Sequence, residues 1–204
     1  MSNFEIRDDE HGIGKVLILK GSWSNYVASY MKANNIYALR LTDSFGFKAT
    51  DISFLSSLSF LKSLEIYCWE AKGLKVIESL PQLEVLGLQC KTSQKINLGN
   101  FNKLRVALIT WSKGLASLLK LSSIEVLNIQ NYPHMNLETI SSISDLKQLY
   151  LTSRKLENLT GIEHLVNLSK LDLYNCPSLI SLAGTELCAN LKSIETEACN
   201  RVSA

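Results

Sequence analysis

The residues able to perform acid–base, nucleophilic or metal chemistry are scattered along the chain. No GxSxG, HExxH, GxGxxG or phosphate-loop motif occurs in the sequence. The common signatures of nucleophilic, zinc-dependent and nucleotide-dependent catalysis are therefore absent. The three histidines, His11, His134 and His164, are far apart in the sequence. We predict that the chain is not an enzyme and that it has no catalytic residue, no metal site and no cofactor.

The cysteines do not have the spacing of a zinc site or a disulfide framework, because they are odd in number and include no Cys-x-x-Cys pair. They are Cys68, Cys90, Cys176, Cys188 and Cys199. Reduced thiols fit this pattern best, and the N-terminus is acidic where a signal peptide is basic. No apolar run approaches the ~20 residues of a membrane span. These features predict a cytoplasmic protein without a membrane partner.

Two pairs of chemically active residues are separated by about one repeat of the pattern described below. Cys68 and Cys90 would be neighbours in a stacked chain, but two thiols without a third ligand are weak evidence for a metal, and stacked small residues are the favoured interpretation. Asp172 and Glu195 would also be neighbours and would raise each other's pKa, as an acid and a base in catalysis do. An acidic patch at one end of a binding face, with Arg40 at the other end, is the favoured interpretation.

The elements that position these residues come from a short repeated phrase, L-x-x-L-x-L. The phrase begins at Ile36, Leu61, Leu83, Leu104, Ile124, Leu146, Leu168 and Leu191. Successive starts are 25, 22, 21, 20, 22, 22 and 23 residues apart. Alternation within the phrase predicts a short strand, with residues one, four and six directed inward. Between phrases apolar residues recur every third position, as at Ile52, Leu55 and Leu58, which predicts a 3₁₀-like return.

One strand and one return would form one coil of a solenoid, and the copy from Leu146 to Asn167 resembles the leucine-rich repeat family. It is similar to the short 22-residue class of phosphatase-regulator and internalin-type proteins. The resemblance implies an α/β fold: a curved solenoid with a parallel sheet on its concave face and short 3₁₀ or helical returns on its convex face. It also implies a role in binding other proteins.

The chain departs from the family at position nine of each phrase, where an asparagine usually bonds to the backbone along the stack. This column holds Ser44, Trp69, Lys91, Ser112, Tyr132, Arg154, Cys176 and Cys199. Cys176 and Cys199 are common substitutes for the asparagine. The turns after the strands are therefore expected to be irregular.

Residues 1–35 are interpreted as an N-terminal cap, because terminal repeats are atypical where one end of a stack needs covering. A hairpin from Phe4 to Leu19 is expected, with either Val16 and Ile18 or Leu17 and Leu19 directed inward. An amphipathic helix is predicted from Ser22 to Asn35, on apolar spacings of three and four. Residues 36–204 are then predicted to form about eight repeats in one continuous domain.

Positions two, three, five and seven of each phrase cannot face the core, so they should form the concave surface. Aromatic residues recur there among polar ones, and Tyr, Trp and Arg dominate the energetics of protein interfaces. The predicted partner-binding residues are Arg40, Tyr67, Trp69, Trp111, Asn128, Tyr132, Tyr150, Asp172 and Tyr174. Trp69, Trp111 and Tyr132 are expected just past the strands, at the rim of this surface. Trp69 and Trp111 have an alternative, in which irregular turns fold them back into the core.

A balance of 21 Lys+Arg against 19 Asp+Glu, a net charge of +2, disfavours nucleic acid as a partner, because that affinity depends on neutralising phosphates. The predicted function is a non-enzymatic protein-interaction module, in a regulatory, adaptor or immunity-type role. The alternative is an enzyme with a site at the cap or at the open C-terminal end. The last strand invites pairing, so we also consider a weak homodimer through that edge, with a monomer whose tail folds across it as the alternative.

Overall fold

A computed structural model of the chain describes residues 3–48, 51–92 and 94–202. It divides into two compact units, Met1–Leu104 and Arg105–Ala204, which are described one at a time. Each unit is a stack of short parallel strands joined by 3₁₀ returns, as the repeat predicts. The expectation of one continuous domain over residues 36–204 stays a prediction.

The first unit opens with a β-hairpin and a helix and continues as parallel strands. Its strands are β1 (Phe4–Asp8), β2 (Lys15–Leu19), β3 (Ala38–Thr42), β4 (Ser63–Tyr67) and β5 (Val85–Leu88), and its helix is α1 (Asn25–Ala33). The hairpin strands β1 and β2 pair antiparallel, and β2 to β5 pair in parallel in chain order. The 3₁₀ segments are η1 (Asp43–Phe45), η2 (Ser53–Ser57) and η3 (Leu74–Ser79).

The second unit contains five parallel strands, again paired in chain order. They are β6 (Val106–Thr110), β7 (Val126–Gln130), β8 (Gln148–Thr152), β9 (Lys170–Tyr174) and β10 (Ser193–Glu197). The 3₁₀ segments are η4 (Lys113–Leu115), η5 (Leu118–Lys120), η6 (Glu138–Ile140), η7 (Ile162–His164) and η8 (Thr185–Leu187).

The inward positions of the phrase form the core of each unit. The parallel register places Leu39 beside Leu64 and Leu64 beside Leu86, and Leu127 beside Leu149. All five side chains are inaccessible to solvent. The apolar residues of the returns are buried too, so each coil closes a layer of leucine-rich core.

The hairpin at the N-terminus has a strand that is buried on both faces. Leu17 and Leu19 align with Leu39 and Leu41 of β3 and continue the leucine core. Val16 and Ile18 lie on the opposite face of the sheet, where they pack with Ala38 under Ile13 and Phe45. Both alternatives for the inward pair of β2 therefore describe buried residues, and the helix predicted from Ser22 is shorter, with Ser24 at its N-cap.

The turns after the strands follow two different paths. Asn131, Asn175 and Ala198, at position eight of their phrases, have φ angles of 59°, 53° and 55°, in the left-handed region that asparagine tolerates better than most residues. The next residue then turns inward, as Tyr132 and Cys176 do. Where position eight is itself buried, as at Cys68, Cys90 and Ser153, position nine is exposed.

Polar and sulfur groups take the place of the missing asparagines at these turns. The Ser153 hydroxyl donates to the carbonyl of Tyr132 at 2.7 Å and accepts from the backbone N–H groups of Lys155 and Leu156 at 3.0 and 2.9 Å. The thiol of Cys199 lies 3.4 Å from the carbonyl of Leu173. The irregular turns expected from the sequence thus keep a backbone-bonding function in residues other than asparagine.

The coil that contains β10 is more open than the others. Ile194 occupies an inward position of the phrase but is 42% exposed, and Leu187 is 64% exposed. The corresponding residue of β9, Leu171, is fully buried because β10 packs beside it.

Candidate functional site

The outer face of each sheet is the face opposite the leucine core, and in the first unit it carries a closed charged network. Arg40 of β3 donates from Nε and one Nη to Oε1 of Glu65 at 3.1 and 2.8 Å. The Tyr67 hydroxyl donates to the other carboxylate oxygen, Oε2, at 2.5 Å. Glu65 is only 1% exposed, so the carboxylate is buried and bonded on both oxygens.

Burial and the charge of Glu65 raise the pKa of Tyr67 well above its usual range, because ionisation would place a second negative charge beside the carboxylate. Burial lowers the pKa of Arg40, but the hydrogen bonds to Glu65 outweigh it, so the net shift is upward. Arg40 therefore stays charged and Tyr67 stays neutral at neutral pH. The three groups stabilise one another and leave few atoms for a ligand.

Gly87 of β5 makes room for this network. A Cβ built on Gly87 would lie 2.9 Å from the Tyr67 hydroxyl and 3.0 Å from Cγ of Glu65, closer than ordinary van der Waals contact. Because Gly87 has no side chain, the side chains of Tyr67 and Glu65 can lie across β5 at this position. Because Ser63 and Val85 are also fully buried on this face, the outer face of the first unit is largely covered.

The outer face of the second unit carries an open groove of about 290 Å³, which we call the outer-face groove. It is lined by Asn128, Gln130, Tyr150, Leu151, Thr152, Asp172, Tyr174 and Glu197. Seven of these eight residues are polar or ionisable, and they come from four consecutive strands, β7 to β10. Tyr174 is 49% exposed, so an aromatic ring is directly available at the surface.

Side chains beside the groove hold some of its lining in place. The Tyr150 hydroxyl donates to Gln148 at 3.0 Å, and the Thr110 hydroxyl donates to the side-chain oxygen of Gln130 at 3.1 Å. The Lys170 ammonium lies 5.3 Å from the centroid of the Tyr150 ring and forms an ion pair with Glu195 at 2.9 Å. The side-chain hydrogen bond to Glu195 raises the pKa of Lys170, which therefore stays charged at neutral pH.

The aromatic residues predicted at the rim have different environments. Trp69 is 53% exposed, as the rim interpretation requires. Trp111 is partly buried and meets the ring of His134 edge-on, with ring centroids 6.0 Å apart. Tyr132 is not at the rim: it is 1% exposed and its hydroxyl donates to the carbonyl of Asn136 at 2.8 Å. The left-handed Asn131 before it turns it inward, so we remove Tyr132 from the candidate contact residues.

The predicted site residues thus fall into three sets. Arg40 and Tyr67 are joined with Glu65 in the first unit; Asn128, Tyr150, Asp172 and Tyr174 meet in the groove of the second; Trp69 and Trp111 lie beyond strand ends. Glu65, Gln130, Thr152 and Glu197 complete these groups but were absent from the predicted set. Their signal was present in the sequence, because all four occupy positions five or seven of their phrases.

Three of the five cysteine thiols do not have the properties of nucleophiles. Burial raises the pKa of Cys68, Cys90 and Cys176 to about 12, so these thiols stay protonated at neutral pH, whereas the thiolate is the reactive form. Cys68 and Cys90 are close enough to interact electrostatically, as the repeat spacing suggested. All five cysteines are free.

Across residues 3–48, 51–92 and 94–202, no group of three or more His, Cys, Asp or Glu side chains is arranged to hold a metal ion. No helix in the described parts of the chain has the length and apolar character needed to cross a membrane.

The chain is similar to several leucine-rich repeat proteins. Residues 144–203 match the family model described as the LRR domain of the endo-β-N-acetylglucosaminidase EndoS. No curated protein matches the chain in sequence. An internalin C2 of Listeria monocytogenes has a similar structure, with a TM-score of 0.64 and 23% identity over 89% of this chain and 80% of that one.

Two further solved structures share the fold over most of this chain. An internalin, InlF, of Listeria monocytogenes has a TM-score of 0.54 and 15% identity, over 92% of this chain and 65% of that one. The plant peptide hormone receptor RGFR1, solved in complex with RGF2, has a TM-score of 0.51 and 13% identity, over 95% of this chain and 32% of that one. With its repeated phrase, its stacked parallel strands and 3₁₀ returns, and these likenesses, the chain has the leucine-rich repeat fold.

Proposed function

We propose that the chain is a non-enzymatic protein-interaction module that binds its partner on the outer face of the second unit. The observation that carries the proposal is the outer-face groove, where polar groups and the half-exposed ring of Tyr174 are open to solvent. Tyrosine buries a large area at small entropic cost and keeps a polar group for hydrogen bonding. The outer face of the first unit presents fewer groups to a partner, because its side chains bond to one another.

Partly exposed residues beyond the groove enlarge this surface toward the area of a protein–protein interface. Trp111, partly buried, lies just beyond β6, and Thr110 and Gln130 connect that strand to the groove by a hydrogen bond. A protein interface of standard size uses roughly 800 Å² per partner, so the groove alone would be its centre and the neighbouring strands its margin. A regulatory, adaptor or immunity-type role would each use such a surface, in a reducing cytoplasmic setting.

Site-specific cross-linking tests the location of the surface. A photo-reactive phenylalanine replaces Tyr174 in the groove or, as the control, Val166, which is 58% exposed on a return of the same unit. In extracts of the native cell, the Tyr174 derivative should form a discrete cross-linked product and the Val166 derivative should not. With the partner purified from that product, Tyr150→Ala or Tyr174→Ala should weaken binding by at least about tenfold, as expected for a hot spot. Cross-linking from Val166 alone would place the partner on the returns and contradict the proposal.

The alternative class is an enzyme with a site at the cap or at the open C-terminal coil. A broad screen with hydrolase substrates separates the two classes, because turnover abolished by one side-chain change would establish catalysis. The raised pKa values of Cys68, Cys90 and Cys176 argue against a thiolate nucleophile at those positions.

A further inference from the structure

The lining of the outer-face groove contains two carboxylates and no cationic side chain. Asp172 and Glu197 line the groove, and neither carboxylate has a hydrogen bond or an ion pair within the described residues. Lys170, two residues before Asp172 on β9, forms an ion pair with Glu195, and the charge of Asp172 contributes less than Glu195 to the raised pKa of Lys170. Arg154, which follows β8, makes no ion pair with either carboxylate in the part of the chain that is described.

Two further polar groups of the groove are also free to bind. The amide of Asn128 and the hydroxyl of Tyr174 line it without a hydrogen-bond partner among the described side chains. Both are accessible, so they are hydrated in the free protein at little cost. An incoming group that offers several N–H donors would exchange this water for direct, charge-assisted hydrogen bonds.

A contact between a cation and an aromatic ring on the same face indicates which kind of hydrogen-bond donor the groove can bind. The Lys170 ammonium lies over the ring of Tyr150 at 5.3 Å, so this surface already holds a cation against a tyrosine face. Tyr174, four residues after Lys170 on β9, presents a second ring that is half exposed. Cations are attracted to such rings by the negative potential above the ring plane.

Size limits the occupant to a single side chain. The volume of about 290 Å³ is at the lower limit of the ~300–1,000 Å³ of small-molecule sites, and the groove is open rather than enclosed. An extended partner segment crossing the sheet would place one long side chain in it. The planar guanidinium group carries five N–H donors, bonds carboxylates in a forked geometry and stacks on aromatic rings, whereas an ammonium group is a compact point charge.

We propose that the outer-face groove binds an arginine side chain of the partner protein, through the carboxylates of Asp172 and Glu197 and the ring of Tyr174. This inference rests on the proposed function and adds the chemistry by which the partner is selected. The partner segment would carry at least one arginine, and the charge of that residue would orient the segment on the face.

Amide chemical shifts of the ¹⁵N-labelled full chain test the proposal directly. The probes are N-acetyl-arginine amide and, as the uncharged isostere, N-acetyl-citrulline amide. The arginine probe should shift the amides of Thr152, Asp172 and Glu197 in a saturable way, and the citrulline probe should bind at least tenfold more weakly. Added salt should weaken the arginine probe.

Matched charge variants test whether the carboxylates of the groove are responsible for binding the arginine probe. The double variant Asp172→Asn, Glu197→Gln should lose the shifts produced by the arginine probe. The control Asp145→Asn, Glu157→Gln removes the same charges from exposed positions outside the groove in the same unit and should retain them. Equal shifts with both probes, no shifts in the parent, or equal loss in the control would each overturn the proposal.

Failure of this inference can be separated from failure of the proposed function. If the Tyr174 cross-link forms equally in the parent and in Asp172→Asn, Glu197→Gln, the partner binds on the outer face without using its charge, and only the arginine proposal is wrong. If the Tyr174 cross-link does not form at all, the proposed function is wrong as well.

Discussion

The two units use the same repeated strand to build outer faces with opposite properties. Glu65 of β4 and Asp172 of β9 both occupy position five of their phrases. Glu65 is buried and bonded to Arg40 and Tyr67, whereas Asp172 is partly exposed and its carboxylate has no hydrogen bond within the described residues. Position in the repeat therefore determines which face a residue is on, and the neighbouring strands determine whether that face is closed.

The difference follows from the residues one strand away. Gly87, beside Glu65 in the register, leaves space that the Tyr67 hydroxyl and the Glu65 side chain occupy. Asp172 has Tyr150 and Glu195 beside it in the register. Tyr150 has a large side chain that its neighbours do not cover fully, and Glu195 has the same charge as Asp172. The first arrangement contributes to stability, and the second leaves groups free for a partner.

The largest effect should come from the leucine core of the second unit. Leu127→Asp or Leu149→Asp places a charge among fully buried side chains, at a cost of several kcal/mol, and should unfold the second unit broadly. Circular dichroism and thermal melting measure the loss. Melting curves identical to that of the parent would contradict the assigned register, and Tyr150→Ala, next to Leu149 on the outer face, is the control that should remain folded.

The second largest effect should be a difference in the free energy of unfolding between variants at Glu65 and at Asp172. Glu65→Gln leaves the Arg40 guanidinium partly buried without a counter-charge and should lower the free energy of unfolding by about 2 kcal/mol, less than the ~3–5 kcal/mol of a fully buried pair. Asp172→Asn removes an accessible charge and should change it by under about 0.5 kcal/mol. Urea unfolding compares the two, and similar losses would show that the faces do not differ as described.

A pH dependence should distinguish the faces further. Because the pKa of Tyr67 is raised in the folded state, its contribution to stability is complete below the unfolded tyrosine pKa of about 10 and is lost as the pH rises toward the folded value. Between pH 9 and pH 11 the parent should lose about 1.4 kcal/mol more stability than Tyr67→Phe. Tyr174→Phe, in the open groove, is the control. Parallel pH profiles for the parent and Tyr67→Phe would contradict a closed network.

The smallest effect concerns the exposed end of the second unit. We propose weak self-association through β10, because Ile194 and Leu187 are exposed there and edge strands pair readily. Light scattering of the parent at high micromolar concentration should show a rise in mass that Ile194→Lys removes. A strictly monomeric parent, with its last residues protected in hydrogen exchange, would favour a tail folded across the edge instead.

Much of the fold could be predicted from the spacing of leucines. A period near 22 determines which residues face inward, since a strand alternates its side chains and each coil returns to the same register. The buried states of Leu64, Leu127 and Leu149 follow from that period alone. Within the described residues, the phrase of β10 departs from this pattern, since Ile194 is exposed.

The candidate site was predicted less completely, because it depends on turns and on neighbours. Tyr132 was placed at the rim, yet Asn131 before it carried a usable signal: asparagine tolerates the left-handed conformation, which turns the next residue inward. The burial of Glu65 depends on Gly87, 22 positions later in the sequence, and on a tyrosine that lies across both strands.

The sequence by itself determined the repeat, the strand register, the leucine core and the set of columns that face outward, because these depend on local periodicity. Only the tertiary structure decided which outward residues are accessible. That outcome depends on contacts between side chains on adjacent strands, as in the network of Arg40, Glu65 and Tyr67, whose geometry no spacing along one chain specifies. In the part of the chain that the structure describes, the carboxylates of Asp172 and Glu197 form no such hydrogen bonds, and the groove of the second unit is open.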